Sequence, residues 1–275
     1  EAVATARKYL SYFQGTVSKW EAADQLRLRD LIPENHKRAY NVRTVIKALA
    51  DTDSFLEMRP KFGPGMITGF IRIEGRPFGL IANNCMHMAG AIEAEGADKT
   101  ARLMQICQAH GLPVLSLCDT PGFMVGPEIE KRAQVRHVCR MFVIGSHLTV
   151  PYFTVVLRRG YGLGAMAMAR GGFHESVFTA AWPTGEFGAM GIEGAIKAGF
   201  KRELAAVEDA EQREKLYEQL VGELYKRGKA VNIASYLEID SVIDPADTRR
   251  WIMQGMKSVP PAKSTQSCHS FVDPW

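Results

Sequence analysis

The sequence contains no apolar run long enough to cross a bilayer, and this excludes a transmembrane helix. Such a helix needs about 20 consecutive apolar residues. The hydrophobic residues, 46% of this 275-residue chain, are instead interrupted by charges and glycines. The basic and apolar segments of a secretory signal peptide are also missing. We therefore expect a cytoplasmic protein with no membrane partner.

Cysteine is scarce and carries no pairing pattern. The five cysteines are odd in number and include no Cys-x-x-Cys pair, which argues against a disulfide framework. Reduced, mostly buried thiols are the better expectation. The seven histidines lack the paired spacing of metal ligands, so we expect no metal site. The cysteines are Cys85, Cys107, Cys118, Cys139 and Cys268.

The chain has little excess charge of either sign. It carries 34 basic and 30 acidic residues, which give a net charge of +4. Basic and acidic residues alternate along predicted helices, as in Arg213-Glu214-Lys215, and such alternation is typical of a solvated helix face. No nucleic-acid partner is expected.

Hydrophobic periodicity predicts alternating helices and strands. The strands are continuously apolar, so we expect an α/β fold with a mostly parallel sheet buried by helices. Strands 113–118, 151–157 and 177–182 should be parallel neighbours because a predicted helix lies in each interval. Further strands are predicted at 69–73, 78–82 and 239–243, and helices at 1–13, 41–49, 94–110, 128–146, 164–169, 201–227 and 245–256.

Three glycine-rich runs, 115–126, 158–168 and 181–191, are the most informative part of the sequence. Glycine lets the backbone turn sharply and lets bare N–H groups approach a ligand. Where such a turn opens a helix, the free N–H groups and the helix dipole favour developing negative charge. The runs therefore favour a backbone oxyanion hole over a side-chain nucleophile.

The second run also matches a dinucleotide-binding pattern, with Gly162, Gly164 and Ala167 as Gly-x-Gly-x-x-Ala. That pattern requires an acidic residue at the end of the next strand. The next strand ends in Trp182-Pro183-Thr184 instead, which makes a nicotinamide enzyme the weaker alternative.

Five motifs in order resemble the biotin-dependent carboxyltransferases, the β-type family of acyl-CoA carboxylases. The resemblance covers roughly residues 28–260 and implies a crotonase-type superhelix of ββα units. The motifs are Leu28-Arg29-Asp30-Leu31-Ile32-Pro33 with Tyr40-Asn41-Val42-Arg43, Asp119-Thr120-Pro121-Gly122-Phe123 with Gly126, Arg158 to Gly162, Ala181 to Gly191, and Asp240 to Arg249.

The resemblance also implies a domain organisation. Members of the family have an N-terminal half that holds acyl-CoA and a C-terminal half that holds carboxybiotin. Residues 28–260 match the C-terminal half, residues 1–27 look like the end of the preceding half with its connection, and 261–275 look like a tail. The first residue is Glu1 inside a helical pattern, so we expect the chain to continue a larger polypeptide.

In the family, backbone N–H groups after the Tyr-Gly of the second run stabilise negative charge on biotin. These donors correspond to Leu163 and Gly164, or one residue further on to Gly164 and Ala165. Leu163 departs from the Gly-Ala found in many members, but a backbone donor survives a change of side chain.

The other implied site residues surround these donors. Gly122, Phe123, Tyr161 and Gly162 are expected to contact the biotin group. Met166 stands where several short-chain members have an acidic residue that bears on the choice of acyl group. A methionine in the core of a helix is the competing interpretation for Met166.

The implied function is transfer of a carboxyl group from carboxybiotin to the α-carbon of an acyl-CoA. The implied partners are the N-terminal carboxyltransferase half, a biotin carboxylase, a biotin carboxyl carrier and further copies of the chain. A biotin-dependent decarboxylase, a non-catalytic assembly half and a plain crotonase hydratase remain alternatives.

Overall fold

A single mixed sheet organises the molecule in a computed structural model, which describes residues 1–36, 38–260 and 272. Within these residues the sheet has eight strands. They are β1 (Leu56–Met58), β2 (Met66–Ile73), β3 (Arg76–Asn83), β4 (Val114–Thr120), β5 (Tyr152–Tyr161), β6 (Phe178–Ala181), β7 (Glu186–Gly188) and β8 (Ser241–Val242).

The strand order is β1-β2-β3-β4-β5-β6-β8, with β7 paired to the end of β5. The first three strands are antiparallel, and every pairing from β3 onward is parallel. β4, β5 and β6 lie side by side, with Leu115 opposite Phe153 and Val155 opposite Ala180. The predicted parallel order of these three strands is confirmed.

Helices cover both faces of the sheet. α3, α5 and α6 contribute buried residues to one core cluster, and α2 and α11 contribute to the other. The described helices are α1 (Ala2–Ser11), α2 (Val42–Leu49), α3 (Ala94–His110), α4 (Pro127–Glu130), α5 (Gln134–His147), α6 (Gly162–Met168), α7 (Ile192–Gly199), α8 (Lys201–Ala206), α9 (Ala210–Arg227), α10 (Ala230–Ser235) and α11 (Thr248–Ser258).

Local signals fixed several helix ends where they were expected. The Asn41 side chain accepts a hydrogen bond from the Arg43 N–H and caps α2. α3 ends at Gly111, whose φ of 67° is a left-handed conformation that glycine adopts without steric cost. Both helices match their predicted bounds closely because the capping residue and the apolar period agree.

Two predicted long helices are wrong in their continuity. The helix predicted at 128–146 is divided into α4 and α5, with Ala133 at a φ of 55° between them. The helix predicted at 201–227 is divided into α8 and α9 because Val207 is extended and Asp209 starts a new helix, accepting a bond from Gln212 N. In both cases the charged sequence is helical on either side of a break that apolar periodicity does not reveal.

Four elements were missed by the sequence pattern: β1, β7, α7 and α10. β1 and β7 have three residues each, too few to show an alternating pattern. No helix in the described residues is long and apolar enough to span a membrane. The predicted tail at 261–275, with Cys268, lies outside the described residues except for Val272.

Candidate functional site

The candidate site lies where β4 and β5 end. Because these neighbours are parallel, the turns that follow them meet at one edge of the sheet, the edge at which open α/β sheets bind ligands. The turn Pro121-Gly122-Phe123 follows β4, and α6 follows β5 directly, beginning at Gly162. The sequence-predicted residues of both glycine runs are thereby brought together.

Gly164 and Gly122 join the two turns. A Cβ placed on Gly164 would lie 2.7 Å from both the Cα and the carbonyl carbon of Gly122, and 3.1 Å from Phe123 N. Real side chains essentially never approach backbone so closely, so this position accepts only glycine without a shift of the turn. The first turn of α6 therefore packs directly on the turn after β4.

The turn after β4 is held by the Thr120 side chain and by the backbone of Ile92. Thr120 Oγ1 accepts a hydrogen bond from Gly122 N at 3.1 Å, and Gly122 O accepts one from Ile92 N at 3.0 Å. Gly122 has a φ of 122°, which favours glycine. Because its N–H already donates to Thr120, Gly122 has no free donor to offer a ligand. Its role is to let the first turn of α6 pack against the backbone.

The first turn of α6 supplies the free donors. Tyr161 is the N-cap, and Gly162, Leu163 and Gly164 form the first turn, with Gly162 at a left-handed φ of 57°. The N–H groups of these three residues have no intrahelical acceptor. The N–H of Ala165 is the first that can bond to the N-cap carbonyl. Of the three expected donors, Leu163 and Gly164 therefore lack an intrahelical acceptor, whereas Ala165 has one.

The side chains around these donors differ sharply in exposure. The Leu163 side chain is 61% exposed, whereas Ala165 is fully buried. Phe123 is half-buried, and its ring meets Phe142 of α5 edge to face at 6.2 Å between centroids. Phe123 therefore packs partly on the core beside the site.

Tyr161 is a buried residue whose hydroxyl is already used. It is 3% exposed and donates a hydrogen bond to Glu186 Oε2 at 3.1 Å. Burial, followed by the nearby Glu186 carboxylate, raises the pKa of the Tyr161 hydroxyl. This hydrogen bond links the end of β5 to β7. The Tyr161 hydroxyl therefore has a structural partner within the protein.

A buried ionic cluster lies beneath the site, centred on Asp119. Its Oδ2 accepts from Arg158 Nε at 3.0 Å, and its Oδ1 accepts from Arg159 Nε at 2.8 Å and Arg159 N at 3.2 Å. Asp119 is fully buried, and the Arg158 side chain is 3% exposed. The carboxylate therefore joins the ends of β4 and β5 and does not cap its own turn.

The same cluster reaches two more segments. Arg159 donates to Ala89 O at 2.7 Å, and Arg158 donates to the carbonyls of His36 and Arg38. Cys85 Sγ donates to Asp119 Oδ2 at 3.0 Å, and burial, reinforced by Asp119, raises the pKa of this thiol to about 12. One carboxylate thus binds one buried and one half-buried guanidinium group and ties together the ends of two neighbouring strands.

The sequence did not reveal this cluster as a unit. Arg158, Arg159 and Cys85 carry no spacing that links them to Asp119. A pair of arginines at the end of an otherwise apolar strand was the one available signal, because buried guanidinium groups need a carboxylate partner.

Met166 lies on the other side of α6 from the Gly122 turn. With Gly162 it lines an open cavity of about 370 Å³. Among the described residues, no group of three or more histidine, cysteine or acidic side chains is arranged to hold a metal ion. Cys85, Cys107 and Cys118 are buried free thiols, and Cys139 is an exposed one.

Comparisons with known proteins identify the family. Residues 1–268 match the model of the carboxyl transferase domain. The chain is 34% identical over 244 residues to the methylmalonyl-CoA carboxyltransferase 12S subunit of Propionibacterium freudenreichii subsp. shermanii, an alignment that covers 87% of this chain and 45% of that protein.

Solved structures show the same fold. A single-chain, multi-domain long-chain acyl-CoA carboxylase superposes with a TM-score of 0.85 at 50% identity, covering 92% of this chain and 25% of that one. The hexameric transcarboxylase 12S, solved with methylmalonyl-CoA bound, superposes with a TM-score of 0.80 at 31% identity, covering 91% and 48%.

These neighbours confirm the predicted crotonase-like α/β fold. The chain spans about half the length of the curated relatives that it matches. The chain belongs to the carboxyl transferase domain family.

Proposed function

We propose that this chain is the carboxybiotin-binding half of a biotin-dependent acyl-CoA carboxyltransferase, with residues 28–260 as its domain. The observation that carries the proposal is the contact between Gly164 and Gly122, which brings two family motifs into one site. When bound, carboxybiotin supplies the carboxyl group, and negative charge develops on its ureido oxygen.

The backbone of α6 would stabilise that charge. The N–H groups of Leu163 and Gly164 point out of the first helical turn, where the helix dipole adds partial positive charge. Donors fixed before the reaction lower its barrier because they need not reorganise, and losing one typically costs about 10²–10³ in rate.

The rest of the site would position the ligand. Gly122 and Gly162 admit a close approach of the biotin group, with Phe123 beside it and Tyr161 held below by Glu186. The residues present fit this group because an oxyanion requires donors rather than a nucleophile. No described side chain at the turns would have to act as a base, because the ureido anion left when biotin gives up its carboxyl group would itself supply the proton acceptor.

The acyl-CoA would come from a second half. Exposed apolar side chains surround the two turns, with Leu163 at 61%, Val125 at 77% and Met88 at 52% exposure. Such a rim is typical of a surface covered by a partner. Because the aligned relatives are about twice as long, we propose the N-terminal carboxyltransferase half as that partner, within an oligomer that also meets a biotin carboxylase and a carrier.

The substrate is proposed as an acyl-CoA, with the long-chain class favoured by the 50% identity to the long-chain acyl-CoA carboxylase. The test is to assemble the chain with the acyl-CoA half, then follow labelled carboxyl transfer between carboxybiotin and acyl-CoA. Net transfer to acyl-CoA supports a carboxylase. Net decarboxylation of the carboxylated acyl-CoA supports the decarboxylase alternative, and assembly without biotin binding supports a non-catalytic half.

A further inference from the structure

A third turn lies at the edge of the sheet where the two glycine turns meet. β3 runs parallel to β4, so the segment after β3 arrives at the same edge. This segment contains the turn Met88–Gly90. Directly after the turn, Ile92 N donates to Gly122 O at 3.0 Å, and Ile92 O accepts from Met124 N at 2.9 Å. The turn Met88–Gly90 therefore borders the proposed carboxybiotin site.

The backbone of this turn is left-handed at consecutive residues. The φ angle is 43° at Met88, 54° at Ala89 and 85° at Gly90. Glycine suits the last position because a Cβ there would lie 2.5 Å from Asp119 O. Methionine and alanine disfavour this conformation because their Cβ crowds the backbone, and neither side chain has a polar group that could stabilise it locally. Such a conformation persists only where the surrounding structure holds it.

Arg159 holds the turn from β5. Its Nη2 donates to Ala89 O at 2.7 Å, and its Nε donates to Asp119 Oδ1 at 2.8 Å. The carboxylate fixes the guanidinium group, and the guanidinium group in turn fixes the carbonyl. A second bond, from Asn83 Nδ2 to Gly90 O, is longer at 3.3 Å. Because a charged donor forms the stronger hydrogen bond, Arg159 is the main restraint on Ala89.

β5 thus serves two parts of the site. The strand leads directly into α6, whose first turn carries the proposed donors, and through Arg159 it holds the turn that follows β3. Met88 and Ala89 are both exposed, so side-chain packing restrains this turn little. One strand therefore sets the separation between the donors of α6 and the turn Met88–Gly90.

We propose that Arg159 is a positioning residue for carboxybiotin, an inference that rests on the proposed carboxyl-transfer function. Arg159 keeps Ala89 in its left-handed conformation and so fixes the turn Met88–Gly90 as a wall of the biotin site. A wall fixed in this way holds the biotin group before and during the reaction alike. Its loss should therefore raise the KM for carboxybiotin more than it lowers kcat.

The first measurement is made on the assembled enzyme with Arg159→Met, which removes the bond to Ala89 O. We expect the KM for carboxybiotin to rise about tenfold, in keeping with the loss of one hydrogen bond from a charged donor. The KM for the acyl-CoA should stay constant, because the second half of the site holds that substrate. Arg250→Met is the matched control, since it removes an exposed ion pair with Asp247 on α11, and should change neither value.

The second measurement is hydrogen exchange in the full chain, which needs no ligand. The N–H groups of Gly90 and Ala91 donate to His87 O and Met88 O, so their exchange rates report on the turn itself. In Arg159→Met we expect both amides to exchange about tenfold faster, because the turn opens more often. Arg250→Met should leave these rates unchanged.

Variants of Ala89 show whether Arg159 acts through this residue. Glycine adopts a left-handed φ without steric cost, so Ala89→Gly added to Arg159→Met should lower the KM for carboxybiotin again, by about fivefold. A β-branched residue disfavours this φ most strongly. Ala89→Val should therefore raise the same KM and speed exchange at Gly90 and Ala91 with the Asp119 ion pairs intact. Because Ala89 is exposed, this variant keeps the inference testable if Arg159→Met does not fold.

The outcomes separate this inference from the proposed function. If Ala89→Gly gives no recovery and Ala89→Val leaves the KM for carboxybiotin unchanged, Arg159 does not act through the turn, and the inference alone is overturned. Unchanged exchange at Gly90 and Ala91 in Arg159→Met overturns it as well. An enzyme with native Arg159 that transfers no carboxyl group to any acyl-CoA overturns the proposed function and the role in biotin binding together, whatever the exchange rates show.

Discussion

The two sides of α6 are built in opposite ways. On one side Gly164 presses against Gly122 with no space for a Cβ, over a fully buried carboxylate and two arginines. On the other side Met166 faces an open cavity with an apolar wall. The first side is fixed by backbone contacts and charge, whereas the second is shaped by side chains. We infer that the chemistry belongs to the rigid side and the choice of substrate to the open one.

The largest effect should come from the charge beneath the rigid side. Asp119→Asn removes the carboxylate and leaves the buried Arg158 and the half-buried Arg159 without their ion-pair partner. We expect the free energy of unfolding to fall by about 3–5 kcal/mol, measured by urea denaturation. Glu211→Gln, which removes an exposed ion pair with Lys215, is the control and should change little. Equal stability of the two variants would show that the cluster does not hold the turns together.

Gly164→Ala tests the contact between the turns. The new Cβ must displace the Gly122 backbone, so the donors shift relative to the turn after β4. We expect kcat for carboxyl transfer to fall by about 10²–10³, the usual cost of one oxyanion donor. Leu163→Ala retains the backbone N–H and changes only an exposed side chain, so it should have little effect on kcat. Gly194→Ala, where no atom lies within 4 Å of the new Cβ, controls for the substitution itself. Near-normal transfer by Gly164→Ala would contradict the donor assignment.

The rigid side should also be sensitive to alkaline pH. The pKa of Cys85 is raised to about 12 from its ordinary value of 9.0, so the folded state retains this proton where the unfolded chain loses it. The resulting stabilisation is complete below pH 9 and is lost as the pH rises towards 12. Above pH 9, the unfolding free energy of Cys85→Ala should therefore decrease less steeply with pH than that of the unmodified protein, by up to about 1.4 kcal/mol per pH unit. Parallel curves for the two proteins above pH 9 would exclude the effect.

The open side should respond with a change of selectivity. Met166→Asp places a charge at the wall of the apolar cavity, which opposes entry of an alkyl tail. We expect the palmitoyl-to-butyryl ratio of kcat/KM to fall by about tenfold, while the KM for carboxybiotin stays constant. Met166→Leu, of similar volume and polarity, is the matched control. An equal loss on both acyl-CoAs would favour the interpretation of Met166 as a core residue of α6.

The rigid side was largely predictable from the sequence, and the open side was not. Parallel strands followed by glycine turns are local patterns, so β4, β5, Gly122 and Gly164 could be found from residue order and a family resemblance. The cavity depends on Ile233 of the short α10 and on Tyr236 directly after that helix, where no periodic signal exists.

The Asp119 cluster was partly predictable from the sequence. Its arginines are visible at the end of β5, but Cys85 is 34 positions away from Asp119 and shows no motif in common with it. The breaks at Ala133 and Val207 were missed for a related reason: a helix interrupted by three residues keeps its composition on both sides. Long-range contacts and single backbone angles leave little trace in a sequence.

The central claim is that this chain supplies one half of a carboxyltransferase site. The most direct measurement is labelled carboxyl transfer from carboxybiotin to an acyl-CoA by the chain alone and after addition of the acyl-CoA-binding half. Our account predicts no transfer by residues 1–275 alone and recovery on addition of that half, with Gly164→Ala failing to recover. Full activity of the isolated chain as a monomer, or no recovery in the assembled protein, would contradict it.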